Sequence, residues 1–286
     1  MMNRKIALVT GANSGIGKAT AIALAKMGMT VVMLCRNLQR GEAALMDVKA
    51  QSHSGDVFLM LCDLADMADI QRFCRDFRAQ YPVLDVLINN AGVLSFARRE
   101  TKDGLELHFG VCHVGHYLLT LSLMELMRPS SRIVMVGSVA HKAGRIDFDD
   151  IGMRKGYSVA RAYSRAKLCN MLFTKELARR LEGTGITVNC VHPGWVMTGI
   201  GAKRGNGGNG NTTLRRVARR LLGFAVRTPE QGAETVVYVA TSGEFDKVTG
   251  SYFVSCRIAK ASRRSEDPIL SRRLWELTDN LTKAYR

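Results

Sequence analysis

Tyr163 and Lys167 are the two residues whose types and spacing most directly allow proton chemistry. Within Tyr163-Ser164-Arg165-Ala166-Lys167 they lie on one face of a helix, about one turn apart. A phenol with an unperturbed pKa of ~10 is a poor acid or base near neutrality, but a cation held beside it favours the phenolate and lowers that value. The same spacing is frequent by chance, and an exposed helical pair is its ordinary meaning. The surroundings decide between the two.

A second chemistry-bearing stretch is Gly11-Ala12-Asn13-Ser14-Gly15-Ile16-Gly17, which follows the apolar run Lys5-Ile6-Ala7-Leu8-Val9-Thr10 and precedes a helical pattern over residues 18–27. Strand, glycine turn and helix in this order let a pyrophosphate approach a helix N-terminus, with the glycines permitting the tight turn and the close packing. The spacing differs from the longer Gly-x-Gly-x-x-Gly fingerprint, and a plain turn is the alternative; placement directly after the first strand favours the phosphate reading. The second strand, residues 30–35, ends at Arg36. In dinucleotide folds the group about twenty residues past the glycines meets the adenosine ribose, and an Arg there accommodates a 2′-phosphate, so Arg36 argues for NADP over NAD. An ordinary solvated Arg at a strand end is the competing reading.

The remaining elements repeat the rhythm. Strands are predicted over residues 57–61, leading to Cys62-Asp63-Leu64, and 84–88, leading to Asn89-Asn90-Ala91-Gly92. A helix is predicted over residues 67–80 and a long helical region over 104–127. The fifth strand, 132–136, delivers Gly137 and Ser138. The Tyr163 helix runs to about Arg180, and a sixth strand, 186–191, delivers His192-Pro193-Gly194-Trp195-Val196-Met197-Thr198. Strands alternating with helices require a parallel sheet covered on both faces, with ligands at the carboxyl ends of the strands. The fold class expected is α/β, a single Rossmann-type doubly wound parallel sheet of about seven strands.

With 286 residues and 47% hydrophobic content the chain fits one large domain, residues 1–286, with a substrate-lid region about residues 194–228. No apolar run reaches the ~18 residues of a membrane span, and the first apolar segment begins at Ile6, so neither a leader nor a spanning anchor is expected. Seven cysteines are scattered without a Cys-x-x-Cys pair and read as reduced, mostly buried thiols of a cytoplasmic protein. The 41 Lys+Arg against 25 Asp+Glu leave a net charge of +16, which favours anionic partners. Nucleic acid is not among the expected ones, because no zinc-finger, ribonucleoprotein or basic-heptad pattern accompanies the charge.

Taken together, Thr10 to Gly17, Asp63-Leu64, Asn89-Asn90-Ala91-Gly92, Ser138, Tyr163-x-x-x-Lys167 and Pro193-Gly194-x-Val196-x-Thr198 resemble the short-chain dehydrogenase/reductases in order and spacing, over nearly the whole chain. The Cys35-Arg36-Asn37 turn, Val111-x-His113-x-Gly115-His116, the long interval from Ser138 to Tyr163, Thr228 to Ala233 and Arg272-Arg273-Leu274-Trp275 are similar to the retinol dehydrogenase branch. The resemblance implies hydride transfer between NADP(H) and an alcohol/carbonyl pair without a metal. Tyr163 would exchange the proton, Lys167 would lower the phenol's pKa and hold the nicotinamide ribose, and Ser138 would bond the substrate oxygen. By the same resemblance Gly11, Asn13, Ser14, Gly15, Ile16 and Gly17 hold the pyrophosphate, and Asp63 and Leu64 the adenine. Asn90, Ala91 and Gly92 lie along the neighbouring backbone, and Pro193, Gly194, Val196 and Thr198 on the carboxamide side.

The chain departs from the family at Cys112, where most members carry the Asn of a proton relay, and at Gly137, where a first Ser is commoner. A relay through the backbone carbonyl would tolerate Cys112; one through the Asn side chain would leave turnover slow. His113, His116 and His141 read as structural, since no ligand set surrounds them. Residues 199–211, rich in Gly and Asn, read as a mobile lid. Leu94, Phe96 and Trp195 suggest a lipophilic carbonyl or alcohol substrate, with core packing as the alternative. Residues 213–226 read as a basic amphipathic helix that either packs on the domain or rests on an anionic membrane surface. Two further functions compete: a catalytically weak NADP(H)-binding or membrane-surface protein, and a short-chain reductase of another substrate class. Homo-oligomerisation stays open.

Overall fold

The computed structural model describes residues 4–196 and 226–286. Its centre is a sheet in the order β10-β9-β6-β5-β4-β1-β2-β3. The strands are β1 Ile6–Thr10, β2 Thr30–Cys35, β3 Val57–Leu61, β4 Val86–Asn89, β5 Arg132–Val136, β6 Thr187–His192, β9 Tyr252–Val254 and β10 Arg257–Ile258. Seven of these run parallel, and β10 adds an antiparallel edge, giving eight where about seven were expected. The extra strand is two residues long and follows β9 through Ser255 and Cys256, both at positive φ, a tight reversal that leaves little trace in apolar periodicity. A separate pair joins β7, Trp195–Val196, to β8, Val226–Arg227.

Parallel strands covered on both faces are apolar on both, and β1 shows how the period of two divides them. Leu8 joins a core with α3 (Met67–Gln80) and α6 (Val159–Arg180), whereas Ala7 and Val9 join one with α1 (Gly15–Lys26), α2 (Leu38–Ser52) and the Pro229–Thr241 helix. The first face is also covered by a helix that begins as α4 (Leu107–Phe109), widens into a π-helix at Gly110–Val114 and continues as α5 (Gly115–Ser122), together with the C-terminal Pro268–Thr282 helix. The long helical region expected over 104–127 is therefore shorter and locally unwound. β1 pairs with both β2 and β4, so the chain reverses its winding there and opens a crevice at their carboxyl ends. Thr10-Gly11 and Asn90 sit at that crevice.

Candidate active site

The glycine turn is built by close approach. Gly11 has φ of +66°, and its amide donates to the Leu34 carbonyl at 2.8 Å. A Cβ placed on Gly17 would stand 2.4 Å from Asn90 Nδ2 and 2.5 Å from the Gly11 carbonyl oxygen, so no larger residue fits. Asn90 Nδ2 in turn donates to the Thr10 carbonyl at 2.7 Å, tying the end of β4 to the end of β1. Ser14 precedes α1 without a side-chain cap, and the first turn of that helix carries no acid. Its amides are thus left to a ligand, and the cradle fits the pyrophosphate of a dinucleotide.

Arg36 and Asp63 follow the neighbouring strands β2 and β3, and their side chains lie 3.8 Å apart, both well exposed. Leu64 is buried beneath the Asp63 loop, where Asp63 Oδ1 accepts from the Ala65 amide at 3.0 Å. The 2′-phosphate and adenine residues proposed from sequence therefore share one end of the crevice.

At the other end, α6 brings Lys167 against β5. Lys167 Nζ is buried, donates to the Val136 carbonyl at 2.8 Å and lies 5.6 Å from the centroid of the Tyr163 ring. Two residues past Val136, Ser138 caps a short turn, its hydroxyl accepting from the Ala140 amide at 3.2 Å. That turn packs closely on α6: a Cβ on Gly144 would come 2.5 Å from the Ser164 carbonyl oxygen and 2.7 Å from Leu168 Cβ. His141 holds it, donating from Nδ1 to the Ser138 carbonyl at 2.7 Å while Nε2 accepts from the Ser262 amide at 3.2 Å.

The π-helix places Cys112 beside this group. The Cys112 thiol is fully buried and pushed up in pKa by that burial, which the nearby Lys167 charge partly offsets. Its carbonyl accepts from His116 Nδ1 at 3.1 Å. His116 Nε2 meets the Thr10 hydroxyl at 2.9 Å, and that hydroxyl already accepts from the amides of Asn90 and Ala91. The Thr10 proton therefore points at His116, which carries its own proton on Nδ1. Burial holds His116 neutral, its pKa pushed down to about 4. His113 is likewise enclosed, with Nε2 3.0 Å from the Thr278 hydroxyl. All three histidines are thus occupied within the fold.

Gly194 has φ of +87° and packs against Arg227, while Val196 lies on β7 against Gly232 of the Pro229–Thr241 helix. A Cβ on Gly232 would come 2.6 Å from Val196 and 3.2 Å from Ile16, so β7 is held beside the start of α1. Phe96 is 74% exposed and Trp195 69%, which removes the core alternative for both; Leu94 is half-buried. Thr198, the lid stretch 199–211 and residues 213–225 lie outside the described residues. Among the described residues no helix is long and apolar enough to cross a membrane. All seven cysteines are free, and all but Cys256 are buried.

Sequence reasoning missed the Thr10 hydroxyl, the His141 bridge and a buried Glu106–Arg165 ion pair, with oxygen and nitrogen 2.8 Å apart. Arg165 carried a signal: with Ala162, Ala166 and Cys169 it occupies the buried stripe of α6, where a charge requires a partner.

A doubly wound sheet with a glycine turn at its switch point and a Tyr-Lys helix against the next strand end defines a nicotinamide-dependent oxidoreductase class. The family model described as short chain dehydrogenase matches residues 5–207, and the chain belongs to that family, in its retinol dehydrogenase-like branch. It is 41% identical to retinol dehydrogenase 11 of Mus musculus over 279 residues, 97% of this chain and 86% of that protein. It is 39% identical to retinol dehydrogenase 14 of Homo sapiens, over 98% of this chain and 86% of the relative. Among solved structures, an uncharacterized protein from Mycobacterium Paratuberculosis superposes with a TM-score of 0.78 at 32% identity, covering 98% of this chain and 93% of its own. A variant of actinorhodin polyketide ketoreductase, solved with NADPH, gives 0.67 at 27% identity, covering 87% and 95%.

Proposed function

We propose that the protein transfers hydride between NADP(H) and a lipophilic alcohol/carbonyl pair, with Tyr163, Lys167 and Ser138 as its catalytic residues. The observation that supports this reading is the anchoring of Lys167 to the Val136 carbonyl at the end of β5, which holds the helix carrying Tyr163 against the strand that leads into Ser138. NADPH, when bound, supplies the hydride. The Tyr163 phenol gives its proton to the carbonyl oxygen in reduction and takes it back in oxidation. The Lys167 ammonium favours the phenolate left behind, and the Ser138 hydroxyl donates to the same substrate oxygen. Its present acceptor role toward Ala140 leaves that proton available.

The Gly11–Gly17 cradle supports dinucleotide binding, and Arg36, exposed at the end of β2, supports the 2′-phosphate form. The ketoreductase neighbour carries NADPH and two relatives are named for retinol, which agrees with NADP(H) and an apolar substrate. Exposed Phe96 and Trp195 agree with the apolar part. Cys112 is compatible with turnover, because its backbone carbonyl is held in place by His116 whatever the side chain. A panel of retinoid, aromatic and aliphatic carbonyls, followed by NADPH and NADH absorbance, tests the reading. Oxidation of NADPH by lipophilic members, faster than that of NADH, is expected; tight cofactor binding without turnover of any member would favour a cofactor-binding protein instead.

A further inference from the structure

After β4 the chain passes the candidate site as residues 90–96, and a buried ionic cluster ties this segment to α6. Glu106, His108 and Arg165 are no more than 2% exposed. Glu106 Oε2 accepts from Arg165 Nη2 at 2.8 Å and from the Phe109 amide at 3.0 Å; Oε1 accepts from His108 Nδ1 at 2.7 Å and from the His108 amide at 3.1 Å. His108 Nε2 accepts from the Ser95 amide at 3.2 Å, which fixes the ring proton on Nδ1, facing Glu106. The Ser95 carbonyl accepts from the Tyr157 hydroxyl at 2.7 Å. Arg165, two residues from both Tyr163 and Lys167, also donates to the Ile151 carbonyl. The His108 ring stands edge-on to the Tyr163 ring, centroids 6.5 Å apart.

Burying charges in this way is a poor means of gaining stability, since apolar residues of similar volume often do as well, but losing one partner is costly. The arrangement does define geometry: Ser95 is placed through His108 and Glu106 relative to the helix that carries Tyr163. Burial raises the pKa of Glu106, yet the bonds from His108 and the Phe109 and His108 amides outweigh it and hold the carboxyl below its usual value, so Glu106 stays ionised.

We propose that Glu106 is a positioning residue which, through His108 and Arg165, fixes residues 93–96 at a set distance from Tyr163 and thereby limits the bulk of the carbonyl compound accepted. The part concerning substrate rests on the function proposed above. Two variants test it. Glu106→Gln removes the charge at the centre, and Tyr157→Phe removes only the bond to the Ser95 carbonyl, leaving the ion pair whole should the first variant not fold.

Hydrogen exchange of the peptide covering residues 93–97 reads the positioning without any turnover. Exchange about tenfold faster in folded Glu106→Gln and several-fold faster in Tyr157→Phe is expected, with β4 and the glycine turn unchanged. In steady-state assays the ratio of kcat/KM for a bulky aromatic ketone to that for a short aliphatic aldehyde should change about fivefold or more, with the NADPH Kd within about twofold. Unchanged exchange in folded Glu106→Gln overturns the positioning role of Glu106, unchanged exchange in Tyr157→Phe overturns the claim that the side-chain bonds to Ser95 hold residues 93–96 in place, and faster exchange with an unchanged ratio overturns the substrate limit. An unmodified protein that turns over no carbonyl contradicts the proposed function instead, while the exchange result still decides the role of Glu106.

Discussion

The Lys167 ammonium donates to the Val136 carbonyl at 2.8 Å, so a residue one turn beyond Tyr163 on α6 is tied to the strand end that delivers Ser138. The same ammonium lies 5.6 Å from the centroid of the Tyr163 ring, which agrees with the role toward the phenol proposed above. Lys167→Met should therefore damage both functions proposed for it: turnover falls below detection and NADPH Kd rises about 10-fold or more, as loss of a charge-assisted bond implies. Fluorescence titration with NADPH beside a turnover assay checks both.

Arg36 stands exposed at the end of β2, 3.8 Å from Asp63, and is the residue proposed above to meet a 2′-phosphate. A charge-assisted hydrogen bond is worth ~1.5 to 3 kcal/mol, or ~10- to 100-fold in affinity. Arg36→Asp should reverse the order of NADPH and NADH in binding assays. Equal Kd values for the two cofactors in the unmodified protein would show that Arg36 does not discriminate.

Gly17 has no room for a side chain, since a Cβ would meet backbone and Asn90 within 2.5 Å. Gly17→Ala should push Asn90 from its bond to Thr10 and cost about 1 to 3 kcal/mol of stability, with cofactor affinity lost alongside. Thermal unfolding with and without NADPH measures this: the midpoint falls, and the stabilisation by cofactor shrinks or disappears.

His113 and His116 are both fully buried, and burial pushes their pKa values down from 6.5 to about 3 and about 4. Below pH ~6.5 the unfolded chain takes up protons that the folded one refuses, so stability is full above that value and falls with pH, by about 2 kcal/mol per histidine at pH 5. His113→Leu should roughly halve the part of the slope due to this pair; Thr278 keeps its own donation to the Leu274 carbonyl at 2.8 Å. Urea unfolding at pH 7, 6 and 5 checks the difference.

The strand ends were legible because each apolar run stops at a polar or glycine-containing group, as β1 does at Thr10-Gly11 and β4 at Asn89-Asn90. Helical spacing put Tyr163 and Lys167 on one face, but only the strand-end motifs around them separated a candidate site from an ordinary exposed pair. The π-helix at Gly110–Val114 was not legible, because apolar residues on both sides of it suit an ordinary helix equally well. Nor was the partner of Arg165: the charge on a buried stripe announces that one exists, but Glu106 lies 59 residues away and spacing cannot choose it. His116 and Thr10, 106 residues apart, meet only because β1 and β4 pair at the switch point. The two-residue strands β7, β8 and β10 are too short for any periodicity to mark.

Tyr163→Phe isolates the proton donor, because it removes one oxygen from α6 and leaves Lys167, Val136 and the glycine cradle as they are. NADPH oxidation with the best carbonyl substrate and NADPH binding are measured on the same preparation. If the Tyr163 phenol is the proton donor, turnover falls by about a thousandfold or more with the NADPH Kd nearly unchanged. Substantial turnover by Tyr163→Phe at neutral pH would mean that another group supplies the proton.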